Sequence, residues 1–136
     1  MPEKKTIERA HRDKAQGKSP STQAGEFVRE EMDHIREGKH GARSTRQAIA
    51  IGLSKARRAG VALPPQPGQK AEKATTRPPN PKRSRATTKA LRREGSEAAS
   101  PRSLARQART SAQRRGPAAR KKAARQAART RASHKA

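Results

Sequence analysis

Cysteine is absent from this 136-residue chain, which excludes disulfide staples, thiolate metal sites and a thiol nucleophile. Tryptophan and tyrosine are also absent, and Phe27 is the single aromatic residue. Base stacking of the kind used by single-strand and loop-reading RNA domains therefore has almost nothing to rest on. No stretch approaches the ~20 apolar residues of a membrane span. Met1 to Ser19 mixes Glu3, Glu8 and Asp13 with bases and lacks the apolar run of a secretory leader. The expectation is an intracellular, cytoplasmic protein.

Acidic residues are scarce as well: 11 Asp+Glu face 35 Lys+Arg, a net charge of +24. The imbalance is concentrated in residues 64–136, where 21 of the 35 bases meet only Glu72, Glu94 and Glu97, leaving that half at +18. Such an excess concentrates polyanions at the surface and opposes compaction by self-repulsion, so it speaks to partners more than to fold. Nucleic acid is the expected partner, with no small-molecule substrate, cofactor or membrane called for.

Large apolar side chains are nearly confined to residues 1–63: Ile7, Phe27, Val28, Met32, Ile35, Ile49, Ile51, Leu53, Val61 and Leu63. Beyond them only Leu91 and Leu104 remain, too few to offset the ~1–2 kcal/mol of backbone entropy per ordered residue. One small folded unit is expected. Residues 1–19 read as a flexible N-terminal segment with a frayed helix over 3–16, since its apolar face is just Ile7 and Ala10.

Ser19-Pro20 reads as an N-cap and first helical residue, followed by the stripe Ala24, Phe27, Val28, Met32 and Ile35, which predicts a helix over 21–37 ended by Gly38. Glu26, Arg29, Glu30, Asp33 and Glu37 fall on its other side as a solvated polar face. Ser44-Thr-Arg-Gln47 fits a capping box and opens a second helix over 45–59, closed by a left-handed Gly60 with Val61 folding back on Ala56. Ile49, Ile51 and Leu53 alternate like a strand, but the flanking caps favour helix. A ridge of Ala48, Gly52 and Ala56 invites close helix approach. Residues 20–63 thus form a two-helix unit near the lower size limit for independent stability, and a homodimer packing through Phe27, Val28, Met32, Ile35, Ile49, Gly52, Leu53 and Ala56 is expected.

From Pro64 the composition changes. Residues 64–85 read as a Pro-rich extended linker and 86–136 as a basic Ala/Arg-rich tail with helix-prone pieces at 86–94, 102–115 and 118–132. Like charges at Lys121/Arg125/Arg129 oppose helix by a few tenths of a kcal/mol per pair. The expected fold class is therefore a small all-α helical hairpin followed by a long, largely disordered basic tail with transient helices.

Nothing in the pattern suggests catalysis. His34 and His40 stand six apart across a helix end, unlike a metal pair on one helix face, and read as solvated; no metal site is expected. Gly17-Lys18-Ser19 lacks the partner glycine and preceding strand of a phosphate loop. The basic residues carry the functional reading, because neutralising phosphates releases condensed counterions and yields sequence-independent affinity. Candidate phosphate contacts are Lys82, Arg83, Arg85, Lys89, Arg92, Arg93, Arg102, Arg106, Arg109, Arg114, Arg115, Arg120, Lys121, Lys122, Arg125, Arg129 and Arg131, together with Lys70, Lys73, Arg77 and Lys135. Base readout by the second helix would use Arg46, Gln47, Lys55, Arg57 and Arg58, although helix-turn-helix geometry wants a bracing third helix that the pattern does not display.

The stretch Val28 to Pro64, above all Arg46-Gln-Ala-Ile-Ala-Ile-Gly-Leu-Ser-Lys-Ala-Arg-Arg-Ala-Gly60, resembles a family of small basic bacterial proteins of uncharacterised function. The resemblance implies a bacterial origin and a stand-alone helical unit, and brings no site residues. The tail is similar in composition to the Ala/Lys/Arg/Pro-rich extensions of linker-histone-like bacterial proteins. The leading expectation is a histone-like, nucleoid-associated protein that binds duplex DNA without reading sequence. The alternatives are a protein-interaction module using the apolar second helix with the tail as an electrostatic tether, and association with structured RNA or the ribosome.

Overall fold

The computed structural model describes residues 2–64 and 80–135. Among them are five α-helices: α1 (Lys4–Ala15), α2 (Pro20–Arg36), α3 (Thr45–Arg58), α4 (Pro81–Arg93) and α5 (Pro101–Lys135), with a 3₁₀ turn at Glu97–Ala99 before α5. Two compact units result, residues 1–100 and 101–136.

Local chemistry fixes α2 and α3 close to where their caps predict. The Ser19 hydroxyl accepts from the Thr22 amide at 3.3 Å, with Pro20 opening the helix. Gly38, at φ 76°, ends it, while Lys39 N donates back to the His34 carbonyl at 3.0 Å. The Ser44 hydroxyl accepts from Gln47 N, but Gln47 Oε1 takes the Arg43 amide at 2.7 Å, one residue before the expected reciprocal partner. At the far end Val61 N donates to the Ala56 carbonyl at 3.0 Å beyond a left-handed Gly60.

α2 is the central element, packed against α1, α3 and the 3₁₀ turn. Ala48, Gly52 and Ala56 of α3 are buried, and a Cβ built on Gly52 would lie 2.7 Å from Val28 Cα, so glycine sets the helix separation there. Ala10, Ala24, Phe27 and Ala56 form a buried cluster, lined further by Ile7, Leu53, Val61 and Leu63.

Two features depart from the sequence expectation. The N-terminal segment is a docked helix: α1 buries Thr6, Ala10 and Asp13 against α2, and Glu3 N donates to Glu30 Oε1 at 2.7 Å. Polar contacts, invisible to hydrophobic periodicity, supply what the short apolar face lacks. Residues beyond Pro64 also join this unit. Gly41 N donates to the Leu91 carbonyl at 2.8 Å and Ala42 N to the Gly95 carbonyl at 3.2 Å. The Thr45 hydroxyl donates to the Ala98 carbonyl at 2.6 Å, and Arg36 Nε to that of Ala99 at 3.2 Å. Ala98 and Ala99 are buried beside these bonds.

The basic region is helical, which corrects the expected disordered tail with transient helices. α4 begins at Pro81, inside the stretch assigned to the linker, because Asn80 Oδ1 caps the Lys82 amide at 3.0 Å and proline occupies the first helical position. The rest of the Pro-rich linker, residues 65–79, lies outside the described residues. In α5, Pro101 opens one arm and Pro117 another, with Gly116 between them at φ 79°, ψ 171°. Alanine, arginine, lysine and glutamine are among the strongest helix formers, and repulsion of a few tenths of a kcal/mol per like pair does not outweigh that preference.

Candidate functional site

Each basic helix sorts its charge onto a face. At 100° per residue, Lys82, Arg85, Lys89, Arg92 and Arg93 of α4 fall within an arc of about 100°, with Arg83 outside it. Ser84, Thr87 and Leu91 lie on the opposite side. Because the carbonyls of Leu91 and Gly95 accept from Gly41 and Ala42, this basic face is tied at one end to the α2–α3 connection.

The second unit has no acidic residue at all from Pro101 onward. In its first arm Arg102, Arg106 and Arg109 share an arc of about 60°, with Arg114 and Arg115 further round. In the second arm Arg120, Lys121, Lys122, Arg125, Arg129 and Arg131 occupy an arc of about 200°, and Ala119, Ala123, Gln126, Ala127 and Thr130 fill the remainder. Every one of these α4 and α5 cations is exposed. None makes an ion pair with a carboxylate among the described residues. Lys70, Lys73 and Arg77 lie outside the described residues, as does the Lys135 side chain.

The cations of α1 to α3 behave differently. Lys18 pairs with Asp13 at 2.9 Å, Arg9 with Glu26 at 3.8 Å, Arg36 with Asp33 at 3.9 Å, and Lys55 with the fully buried Glu31. Of the α3 residues considered for base readout, Lys55 is held by Glu31 and Gln47 by Arg43 N, while Arg57 donates to the Pro64 carbonyl and Arg58 to Ser54 Oγ. Arg46 alone of the five is simply exposed. α1 provides a third helix, yet four of the five side chains that would read bases hydrogen-bond within the chain.

The residues expected to mediate helix packing sit inside the first unit: Phe27, Met32, Ile35, Gly52 and Ala56 are buried, while Val28, Ile49 and Leu53 are half-buried. Within the chain, α1 packs against α2, and the turn at Glu97–Ala99 packs against both α2 and α3.

A polar cluster that the sequence did not reveal lies between α1, α2 and the α2–α3 connection. Glu31 accepts from Lys55 Nζ and its Oε2 lies 3.0 Å from His40 Nε2, while His40 Nδ1 lies 2.9 Å from the Gly41 carbonyl oxygen. His34 meets the His40 ring edge-on with centroids 6.1 Å apart. Its Nε2 lies 3.3 Å from Glu3 Oε1 and 3.7 Å from Glu30 Oε1. With side chains 13% and 15% exposed, His34 and His40 are packed and partnered rather than solvated. Glu30 is buried too, not part of the expected solvated face, and its Oε2 has no hydrogen-bond partner. The i,i+4 spacing of Glu30 and His34 was the one sequence signal available. Donor atoms of Glu3, Glu30 and His34 lie within 4.8 Å of one another, as do those of Glu31, His34 and His40.

Two groups at the rim have displaced acidities. Hydrogen bonding to His34, then attraction to Lys39, holds the Glu3 carboxyl below its ordinary value of 4.5. Lys39 is held above its ordinary 10.5, first by hydrogen bonding to Glu37 and further by attraction to Glu37 and Glu3.

These features define a protein whose described residues fold as helices, with every aspartate and glutamate in residues 1–100 and exposed cations without ion pairs along α4 and α5. Residues 14–67 match the model of a family of unknown function (DUF6496), a span that contains the Val28–Pro64 stretch and the whole of α2 and α3. Neither curated proteins nor solved structures gave a match. No helix among the described residues is long and apolar enough to cross a membrane.

Proposed function

We propose that this chain binds duplex DNA by its phosphate backbone, without base readout, in the manner of a histone-like, nucleoid-associated protein. The observation that carries this reading is the division of charge. Arg9, Lys18, Arg36, Lys39 and Lys55 in residues 1–63 pair with carboxylates, whereas among the described residues no lysine or arginine of α4 and α5 does, and those cations stand exposed along their helices. Helical order strengthens the argument over a bare charge count, because cations on a formed helix pay less conformational entropy on engaging phosphates. Phe27, 1% exposed in the core, offers no stacking platform, which favours a duplex over unpaired bases.

Fluorescence anisotropy of the full-length chain on a short duplex across a salt series tests the reading. With roughly 6–10 phosphates engaged, log affinity falls against log salt with a slope of about −5 to −9. Replacing Lys82, Arg85, Lys89 and Arg92 together by glutamine makes that slope shallower by about 3–4, as expected if each contacts one phosphate. Absence of binding at low salt overturns the proposal. Clear preference for duplex RNA at matched salt transfers it to structured RNA.

A further inference from the structure

We infer that Glu3, Glu30 and His34 form a site for a divalent transition metal of the zinc class, which fastens α1 to α2. The inference is independent of nucleic-acid binding, since none of the three residues belongs to the basic helices α4 and α5.

Donor chemistry comes first. Zinc accepts imidazole nitrogen and carboxylate oxygen at about 2.0–2.2 Å in tetrahedral geometry, so two ligand atoms on one ion stand about 3.3–3.6 Å apart. His34 Nε2 lies 3.3 Å from Glu3 Oε1 and 3.7 Å from Glu30 Oε1, which also accepts the Glu3 amide, so the three side chains are gathered at near-tetrahedral spacing with Glu30 Oε2 as the oxygen open to an ion. Glu30 and His34 are one turn apart on α2, and Glu3 arrives from the residue preceding α1.

A second observation points to a ligand. The Glu30 side chain is only 4% exposed, and its Oε2 is buried with no hydrogen-bond partner. A buried carboxylate oxygen left without a donor is costly, and a bound cation removes that cost. Glu3, Glu30 and His34, with Asp33 and Glu37, also line a cavity of about 120 Å³ that Lys5 and Arg9 border as well, room for an ion and a water completing its coordination. Glu3 takes the N-cap position of α1 yet its side chain makes no capping hydrogen bond; the carboxylate turns toward His34 and Lys39 instead.

The neighbouring trio Glu31, His34 and His40 is less suited. Both Glu31 oxygens are already engaged, one by the Lys55 ammonium and one by His40 Nε2 at 3.0 Å. A metal there would have to displace the ammonium from a fully buried carboxylate.

Titration of the full-length protein with Co²⁺ at neutral pH, followed by visible absorption and by displacement with Zn²⁺, tests the assignment. One equivalent giving the intense bands of a tetrahedral site is expected. Glu3→Gln and His34→Gln weaken binding at least tenfold, and His40→Gln leaves it within twofold. Glu3 is half-exposed and its bond to Glu30 is made by the backbone amide, which Glu3→Gln keeps, and circular dichroism checks that the variant retains its helices. In parallel, Zn²⁺ raises the unfolding midpoint of the wild-type chain and not of Glu3→Gln. Lack of any tetrahedral cobalt spectrum, wild-type affinity in Glu3→Gln, or loss of binding in His40→Gln each overturns the assignment.

Discussion

Gly41 donates its backbone N–H to the carbonyl of Leu91 at 2.8 Å, and a Cβ on Gly41 would overlap the Glu94 and Gly95 carbonyls. A side chain at this position cannot coexist with the docking of residues 91–99. Gly41→Ala is therefore expected to destabilise the first unit by about 1–3 kcal/mol, the usual range for forced overpacking. Urea denaturation measures the loss, and amide exchange at Ala42 should accelerate well beyond the global change. Wild-type protection at Ala42 in the variant would refute the contact.

Gly52 poses the same question between helices. An added methyl gains up to about 1 kcal/mol of helix propensity but meets Val28 Cα at 2.7 Å, backbone that cannot rotate aside. Gly52→Ala should nonetheless lower stability by about 1–2 kcal/mol, with Gly52→Val worse. A melting temperature raised by the alanine would show that α2 and α3 stand further apart.

Glu31 is fully buried and holds Lys55 and His40 together. Removing one partner of a buried ion pair strands the other, at a cost of about 3–5 kcal/mol. Lys55→Ala is expected to fall in that range, whereas Arg58→Ala, at an exposed residue, should change stability by less than about 0.5 kcal/mol. Thermal unfolding of the two variants side by side decides the point, and equal losses would contradict it.

The Glu3 carboxyl is held below its ordinary 4.5 by His34 and Lys39, so the folded state favours its ionised form. Its stabilising contribution is complete above the ordinary value and disappears as pH falls from there through the lowered folded value. Acidification across that window should release α1 from α2 before the rest of the unit melts. Tryptophan placed at Ile7 would report this release by fluorescence, and Glu3→Gln should flatten the pH dependence. An unchanged acid profile in Glu3→Gln counts against the contact. Lys39, held high, acts in the opposite sense and withdraws its contribution only as pH rises through its elevated value.

What could be read in advance was local. Ser19, Gly38, Ser44 and Gly60 punctuate α2 and α3 through side-chain caps and left-handed turns, signals contained within a few residues, and the observed helices follow them to within a residue or two. What could not be read was contact across long separations by groups with no hydrophobic signature. The Glu3–Glu30 bond spans 27 residues and Thr45–Ala98 spans 53, one made by a carboxylate and a backbone amide, the other by a hydroxyl and a carbonyl. Burial of Glu30, Glu31, Ala98 and Ala99 followed from those contacts and from no period. The basic region is helical because the intrinsic preference of alanine and arginine for helix exceeds a repulsion of a few tenths of a kcal/mol per like pair, a balance that charge alone does not display.

The contacts made by residues 91–99 also bear on dissection of the molecule. Ending the chain at Pro64 strips away Ala98 and Ala99 and leaves the Thr45 hydroxyl and the Gly41 amide without acceptors. A cut after Ser100 keeps those bonds and falls at the junction of the two units.

Gly116 interrupts α5 with a backbone geometry that side-chain-bearing residues resist, and Pro117 has no N–H with which to bridge the gap. The angular phase of the cationic rows is therefore reset at one residue. A duplex, whose own groove turns continuously, would meet two short rulers with separate alignments instead of a single straight rod drifting out of step.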